Sequence, residues 1–218
     1  MSDLIPPSPS TEAYSAEADQ GDVFSISDPT ALFAEWLGLA RENEMNDPNA
    51  MALATVDKSG MPDVRMVLLK DFDACGLTFF TNTESAKGEQ LAATPNAAIC
   101  FHWKSIRRQV RFRGTVSPVT KVEADSYFAK RARGAQLGAH ASAQSRILEE
   151  PKRLKRDIDK LDNELKGRDV PRPEHWSGYR LLPLEIEFWV NRPFRLHDRL
   201  RYIRPDGKSD WKTERLYP

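Results

Sequence analysis

The 218-residue sequence lacks the features that mark exported or membrane-bound proteins. It has only two cysteines, Cys75 and Cys100, which are too few for a disulfide framework and stand beside apolar stretches where buried thiols are common. No apolar run reaches membrane-spanning length, and the first residues lack the basic and apolar segments of a signal peptide. We therefore expect a cytoplasmic protein that does not bind membranes.

The sequence also lacks an excess of either charge, because 32 Lys and Arg residues balance 32 Asp and Glu residues. A neutral chain is a poor candidate for a general nucleic-acid or membrane-surface binder. The four histidines show no metal-ligand spacing with either cysteine, and the sequence has neither a glycine-rich nucleotide loop nor a nucleophile elbow. We accordingly predict no metal site and no nucleic-acid partner.

Composition divides the chain into a mobile N-terminal segment, residues 1–27, and a single domain, residues 28–218. The first segment is rich in Pro, Ser, Ala and acidic residues and can bury little apolar surface. Asp28 and Pro29 then form a typical N-cap followed by proline at the first helical position. Apolar residues recur at helical spacing after them, which predicts an amphipathic helix that ends before Asn46.

The rest of the chain alternates strand-like runs with turn signals and a few helices. The predicted strands cover residues 51–56, 64–70, 77–82, 97–103, 108–116, 179–189, 195–204 and 211–218, with an Asp-Gly hairpin turn at 206–207. Helices are predicted over 82–94, 120–130 and 151–167, the last one charged with a single apolar stripe, while 136–145 is ambiguous. This pattern predicts a mainly β protein with α elements: an antiparallel barrel surrounded by helices.

Two segments carry cations where an anionic ligand could bind. Arg65 and Lys70 flank an apolar strand-like run and, being five residues apart, should point to opposite faces, where they could serve different ligands or be ordinary strand-end charges. Lys87 follows a strand that runs into a helix N-terminus, whose free N–H groups and dipole attract phosphate. Ordinary capping by Asn82 or Thr83 would account equally for the polar residues there.

Strand alternation places Gln109 on one face with three arginines, while the aromatic residue of that run faces the other way. Nucleic-acid binding would need aromatics among the cations, so a solvated barrel face that touches a ligand fits better. Tyr127 and Arg131 are four residues apart on a predicted helix and share one side. Such a pair suits a phosphate or carboxylate, although an exposed pair without function would look the same.

Arg195, His197 and Arg199 alternate near the C-terminus and should project from one strand face. Three neighbouring cations repel one another unless something anionic or electron-rich lies against them. We therefore expect this face to be a functional site.

These segments together resemble the pyridoxine/pyridoxamine 5′-phosphate oxidases, in order and spacing, from about residue 28 to the C-terminus. The signature consists of EFW at 187–189 followed by RLHDR at 195–199, and WKTERLYP at 211–218 is similar to the closing strand of the family. The resemblance implies an FMN-binding split β-barrel that works as a homodimer with FMN at the subunit interface. It also implies oxidation of pyridoxamine or pyridoxine 5′-phosphate to pyridoxal 5′-phosphate, with O2 as acceptor and H2O2 as product.

The resemblance assigns roles to individual residues. Those implied for FMN are Arg65, Met66, Val67, Leu68, Leu69, Lys70, Phe80, Thr81, Lys87, Gln109, Gln144, Ser145, Trp189 and Arg199. Those implied for the phosphorylated pyridine substrate are Lys70, Tyr127, Arg131, Arg195 and His197, of which Arg195 and His197 would be catalytic.

Four departures from the family pattern also follow from the resemblance. Ala86 replaces an arginine that would contact the FMN phosphate, Ala135 replaces a serine of the substrate-phosphate clamp, and Val190 replaces a glutamine beside the flavin. No Arg-x-x-Tyr motif is visible in residues 1–27. Each change removes a polar contact worth about 1 kcal/mol or more, so flavin affinity and substrate choice are affected more than the fold.

Two other functions remain open. The first is a related split-barrel flavin oxidase with another substrate, of the phenazine-pathway type, against which Lys70, Tyr127 and Arg131 favour a phosphorylated substrate. The second is a flavin or pyridoxal-phosphate binding protein with weakened catalysis, against which the retention of Arg195 and His197 argues.

Overall fold

The computed structural model describes Leu4, residues 7–15 and residues 21–218. The chain forms two compact units. We name them the terminal unit, made of Met1–Pro48, Cys100–Phe112 and Leu184–Pro218, and the central unit, made of Asn49–Ile99 and Arg113–Pro183.

Within the described residues, nine strands form one sheet accompanied by six α-helices. The strands are β1 Ala50–Val56, β2 Pro62–Leu68, β3 Asp71–Asp73, β4 Gly76–Asn82, β5 Asn96–Trp103, β6 Arg108–Pro118, β7 Trp176–Val190, β8 Asp198–Ile203 and β9 Lys212–Leu216. The helices are α1 Thr11–Ser15, α2 Pro29–Asn43, α3 Ala86–Ala93, α4 Lys121–Ala129, α5 Arg133–Ala141 and α6 Pro151–Glu164. The strand order is β2-β1-β5-β6-β7-β4-β3, with β8 paired to β7 and β9 paired to β8. The predicted runs 51–56, 77–82, 97–103, 108–116 and 179–189 each lie inside one of these strands.

Helix α2 begins as its sequence predicts and supplies the core of the terminal unit. The Asp28 side chain accepts a hydrogen bond from the third residue of the helix, and Pro29 occupies the first helical turn. Phe33 and Trp36 are buried almost completely. The ring of Phe33 lies 5.1 Å from that of Phe101, and Trp36 meets the edge of Phe188 at the same distance. The helix is thus held by aromatic packing against strands of its own unit.

Strands β1 and β2 form an antiparallel pair in the central unit, with Leu53 opposite Arg65. Alternate residues of β1 are buried, and one of them is polar, since Thr55 is only 1% exposed. Strand β2 is the last strand on its side of the order. Its Val64 and Met66 side chains are 63% and 64% exposed, which leaves an apolar face open on this strand.

Three of the four helices of the central unit, α4, α5 and α6, pack around a small cluster of buried residues, namely Phe128, Leu137, Val170 and Trp176. The charged helix α6 packs its apolar stripe, Ile158, Leu161 and Leu165, against this cluster, as its pattern predicts. The ambiguous segment 136–145 proves to be largely helical, because α5 runs from Arg133 to Ala141.

Two local predictions are wrong. The strand predicted over 195–204 begins only at Asp198, because Pro193 opens a 3-10 turn in which Phe194 and Arg195 take the left-handed conformation, at φ 54° and 59°. Arg195, His197 and Arg199 therefore do not alternate on one strand. Helix α3 is capped by Ser85, whose hydroxyl accepts from the Gly88 N–H, and not by Asn82 or Thr83.

The division into a mobile segment, residues 1–27, and one domain, residues 28–218, stays a prediction, and part of that segment lies outside the described residues. Inside it, α1 is helical and Tyr14 packs its ring 5.2 Å from Phe194. None of the described helices is long and apolar enough to cross a membrane.

Candidate active site

A cleft of about 630 Å³ opens in the central unit. Its walls come from β2, β4, the start of α3, the end of α4 and the segment from α5 onward. Four cationic side chains line it: Arg65, Lys70, Lys87 and Arg131. None of the described lining residues carries a carboxylate. Such a cleft attracts a small polyanion, because its described lining residues carry four positive charges and no negative one.

Arg65 is fixed by the strands behind it. One terminal nitrogen donates to the Leu53 carbonyl at 3.1 Å and to the Thr55 hydroxyl at 2.6 Å. The other donates to Gln90 Oε1 at 3.0 Å and pairs with Asp63. The guanidinium therefore has a defined orientation at the wall of the cleft.

Lys87 lies in the first turn of α3, at the N-terminus of the helix. Its ammonium donates to Gln144 Oε1 at 2.7 Å and to Ser85 Oγ at 3.3 Å. Thr81 Oγ1 lies 3.4 Å from the same Gln144 oxygen. Burial lowers the pKa of Lys87 below its usual range, and the Arg65 charge lowers it further. A phosphate bound here would stabilise the ammonium and meet the positive end of the helix dipole.

Three parallel rings form another part of the wall. Phe80 stacks on Tyr127 at 4.2 Å and on Trp176 at 5.4 Å between ring centroids. Gly178 makes this possible, because a Cβ there would stand 2.7 Å from the Phe80 ring. The stack provides an apolar, planar surface next to the cations, which suits an aromatic ligand that carries a phosphate.

Arg131 follows α4 and lies over this aromatic group, with its guanidinium carbon 4.8 Å from the centre of the Trp176 ring. Its Nη1 atom is buried and has no hydrogen-bond partner among the described residues. Burial also lowers the pKa of Arg131. An unpaired buried donor is costly, so the site gains free energy when an anion supplies the missing acceptor. Lys70 reaches the same cleft from the end of β2, where its backbone N–H donates to the Thr78 carbonyl.

A second cavity, of about 300 Å³, lies in the terminal unit. Trp189, Arg195 and His197 line it, together with Tyr14, His102 of β5, and Lys104 and Arg107 of the β5–β6 connection. The rings of Trp189 and His197 lie 4.6 Å apart. His197 Nδ1 accepts from the backbone N–H of Arg192 at 3.2 Å, which orients the imidazole and leaves Nε2 as its other polar edge. Arg195 and His197 thus line one cavity, although the strand predicted to carry them does not form there.

Arg199 lies in β8 and is paired with a buried carboxylate. Glu187 accepts from Arg199 Nε at 2.9 Å and from its Nη2 at 3.1 Å, and it also pairs with Arg111. Burial alone would raise the pKa of Glu187, but the hydrogen bonds from Arg199 and Arg111 outweigh it, and the pKa is lowered. Arg199 Nη1 donates to the Tyr217 carbonyl at 2.8 Å, which ties the C-terminal strand to the same group.

The structure distributes the predicted site residues over these places. The central cleft is lined by Arg65, Met66, Val67, Leu68, Lys70, Phe80, Thr81, Lys87, Tyr127, Arg131 and Gln144. Leu69 is buried and Ser145 is exposed, and neither lines the cleft. Gln109 and Arg199 line neither cavity. Arg65 and Lys70 were expected on opposite faces but line one cleft, because β2 ends at Leu68 before Lys70 is reached.

Sequence reasoning missed several residues of these sites. Asn82, Ser142 and Trp176 also line the central cleft. The sequence around Trp176 shows only an aromatic residue at the start of a strand. It does not show that Trp176 stacks on Phe80, which lies nearly a hundred positions earlier. Nothing in the sequence indicates that Lys104 belongs to the second cavity, because basic residues are common in hairpin connections.

The departures from the family pattern fall in different environments. Ala135 lines the central cleft, so the replaced serine would have faced it. Ala86 instead lines a separate groove with Glu89 and Gln90. Val190 is fully buried.

The fold is found in solved structures of other proteins. PhzG from Burkholderia lata, in complex with tetrahydrophenazine-1-carboxylic acid, superposes with a TM-score of 0.83 at 34% identity, covering 89% of this chain and 95% of that one. A pyridoxamine 5′-phosphate oxidase-related, FMN-binding protein from Nostoc punctiforme shares the fold with a TM-score of 0.71 at 19% identity, over 89% and 99% of the two chains. The predicted class, a mainly β split barrel of the flavoprotein type with helices, is confirmed.

The family follows from sequence similarity along the whole chain. Residues 40–163 match the family described as pyridoxamine 5′-phosphate oxidase, and residues 176–218 match the pyridoxine 5′-phosphate oxidase C-terminal dimerisation region. A pyridoxine/pyridoxamine 5′-phosphate oxidase of Maricaulis maris is 56% identical over 222 residues, which covers 100% of both chains. The chain belongs to the pyridoxamine 5′-phosphate oxidase family.

Proposed function

We propose that this protein is an FMN-dependent oxidase that converts pyridoxamine 5′-phosphate and pyridoxine 5′-phosphate to pyridoxal 5′-phosphate. O2 is the electron acceptor and H2O2 the second product. The observation that carries the proposal is the central cleft, where Lys70, Tyr127 and Arg131 stand together in a wall without carboxylates. A phosphate monoester needs such a set of donors, and an aromatic ring attached to it fits the neighbouring stack.

The residues of the cleft fit a second phosphate as well, which is what FMN brings. Arg65 of β2 and Lys87 at the N-terminus of α3 line the same cleft, and Lys87 is a desolvated ammonium that an anion would stabilise. In the proposal FMN contacts residues 65–70, Phe80, Thr81 and Lys87, with Gln109, Gln144, Ser145, Trp189 and Arg199. Ser145, Leu69, Gln109 and Arg199 rest on the family resemblance, since they line neither cavity.

FMN, when bound, supplies the redox chemistry, because no amino-acid side chain can accept the electrons of a C–H bond and pass them to O2. The protein must hold the substrate ring in a transfer-ready geometry. Arg195 and His197 take this role in the proposal: Arg195 supplies fixed positive charge, and His197 holds or moves the proton of the substrate amine or alcohol. The hydrogen bond from the Arg192 N–H to His197 Nδ1 orients the imidazole for that role.

The proposal includes a homodimer with FMN at the subunit interface and a cytoplasmic location. The match of residues 176–218 to a dimerisation region supports the homodimer. Trp189, Arg195, His197 and Arg199 all belong to that region, so the proposed flavin and substrate contacts coincide with the segment that pairs two subunits.

The decisive experiment is an absorbance spectrum of the purified protein followed by an oxidase assay, with and without added FMN. We expect a yellow protein that consumes O2 and forms H2O2 with pyridoxamine 5′-phosphate, and that reacts far less with pyridoxamine lacking the phosphate. Bound FMN without turnover of either phosphate ester would contradict the proposal and favour a binding protein. Turnover of unphosphorylated aromatic acids alone would favour an oxidase of the phenazine-pathway type, to which the likeness in fold with PhzG also points.

A further inference from the structure

We infer that Thr55 and Gln90 are positioning residues for Arg65, which they hold in place for the phosphate of FMN. This inference rests on the proposed function and adds two residues to its machinery. Neither residue was predicted from the sequence, and Thr55 does not line the cleft. Their role is to orient the guanidinium of Arg65, which contacts the ligand.

The first observation is a buried hydroxyl in an apolar row. Thr55 follows Met51 and Leu53 on the buried side of β1, where both neighbours are fully buried and Thr55 is 1% exposed. A buried hydroxyl is costly unless it is hydrogen-bonded. Thr55 satisfies both of its capacities, because it donates to Gln90 Oε1 and accepts from Arg65 Nη1 at 2.6 Å.

The second observation is that the network closes around Arg65. Gln90 Oε1 accepts from Arg65 Nη2 at 3.0 Å, and Gln90 Nε2 donates to Asp63 Oδ2 at 3.2 Å. Asp63 pairs with the same guanidinium. The hydrogen bond from Gln90 is the main reason that the pKa of Asp63 is lowered, so this carboxylate stays charged.

The donors of Arg65 are thereby divided. Nη1 and Nη2 together carry four N–H groups, and the network supplies four acceptors: Leu53 O, Thr55 Oγ1, Gln90 Oε1 and Asp63 Oδ2. The Nε–H is left without a hydrogen-bond acceptor among the described residues. A phosphate in the cleft would therefore meet a guanidinium that is fixed in advance and offers its charge and its Nε–H edge. Fixing a charged group before binding reduces the entropy lost on binding.

The test compares FMN with riboflavin, which has the same ring system but no phosphate. Full-length apoprotein is titrated with each, and flavin fluorescence gives Kd. Thr55→Val keeps the side-chain shape and removes the hydroxyl, and we expect it to weaken FMN binding roughly tenfold while the Kd of riboflavin is unchanged. Thr55→Ser keeps the hydroxyl and should bind FMN like the wild type. Thr78→Val is the matched control, because Thr78 is also buried and accepts from an arginine, Arg180, but does not line the cleft.

Gln90→Met provides a second variant, since it removes the other acceptor from a less buried position. It should also weaken the binding of FMN and leave the Kd of riboflavin unchanged. The inference is overturned if Thr55→Val and Gln90→Met bind FMN as the wild type does, or more tightly, which would mean that the network competes with the phosphate. It is also overturned if FMN and riboflavin weaken equally, since that would indicate a general structural role. A wild-type protein that binds no FMN would overturn the proposed function itself, and the inference with it.

Discussion

The ammonium of Lys87 lies 2.7 Å from the Oε1 atom of Gln144, which joins the first turn of α3 to the segment after α5. The two residues are 57 positions apart in the chain and line the same cleft. Gln144 supplies the acceptor that a phosphate oxygen would otherwise provide. The contact therefore keeps a desolvated cation satisfied until an anion arrives.

The pH dependence of FMN binding should reveal Lys87. Its pKa is lowered by burial, so the apoprotein loses this charge at a lower pH than an exposed lysine would. A phosphate dianion favours the charged form and raises the pKa in the complex, so binding takes up a proton between the two pKa values. The affinity for FMN should fall as pH rises through the lowered pKa. Fluorescence titrations across the neutral to alkaline range measure this slope.

The matched variant for that experiment is Lys87→Arg. A guanidinium stays protonated throughout the same range. The slope should therefore become shallower even if binding is weaker overall. An unchanged slope would show that another group titrates.

Lys70→Ala should raise KM for pyridoxamine 5′-phosphate about tenfold, because it removes one charge-assisted hydrogen bond to the substrate phosphate. The oxidation of unphosphorylated pyridoxamine should change little. Steady-state O2 consumption measures both. Lys58→Ala is a suitable control, since Lys58 is a lysine of the same unit that does not line the cleft. An unchanged KM for the phosphate ester would point to a rival substrate.

Gly178→Ala should disturb the aromatic stack. The new methyl group would stand 2.7 Å from the ring of Phe80, so Phe80 must move away from Tyr127. Overpacking of this kind costs about 1–3 kcal/mol, and we expect a lower melting temperature together with weaker FMN binding. Gly134→Ala is the control, because a Cβ there meets nothing within 4 Å. If Gly178→Ala retained full stability and affinity, the stack would not be rigid.

Glu187→Gln should destabilise the protein at neutral pH by about 2 kcal/mol, because Arg199 and Arg111 would lose their shared counter-charge. The pKa of Glu187 is lowered in the folded state, so its contribution is present above the pKa of an unfolded glutamate and is lost as pH falls through the folded value. The variant should consequently show a shallower loss of stability on acidification. Urea unfolding at several pH values measures both effects.

The exposed Glu164, which pairs with Lys160 on α6, offers the comparison. Surface pairs of this kind contribute little, so Glu164→Gln should unfold like the wild type. If Glu187→Gln and Glu164→Gln had the same free energy of unfolding at each pH, Glu187 would not contribute to stability against acid.

Much of the fold can be predicted from local pattern. Alternation and turn residues locate most strand ends within two positions, although β7 and β8 begin three positions from their predicted starts and β3 was missed. The Asp28–Pro29 cap locates α2. These signals act between residues close in the chain. The prediction failed at Arg195 and His197 for a local reason too. Alternating polar residues resemble a strand, but Pro193 and two left-handed residues interrupt it.

The candidate site was less accessible to prediction than the fold. The resemblance supplied the cationic residues, since they recur at characteristic spacings. It did not supply Thr55 or Gln90, whose side chains make hydrogen bonds across 10 to 35 positions of sequence. Contacts of this kind depend on the pairing register of β1 and β2 and on the placement of α3, which no local pattern encodes.

The exposed apolar face of β2 has a consequence for the behaviour of the whole chain. Val64 and Met66 lie on a strand that ends the sheet, and a free apolar edge is a template for pairing with other chains. If a second copy covers such a surface, folding and association become one equilibrium that obeys mass action. The unfolding midpoint would then rise with protein concentration, and dilution would favour the dissociated, unfolded chain.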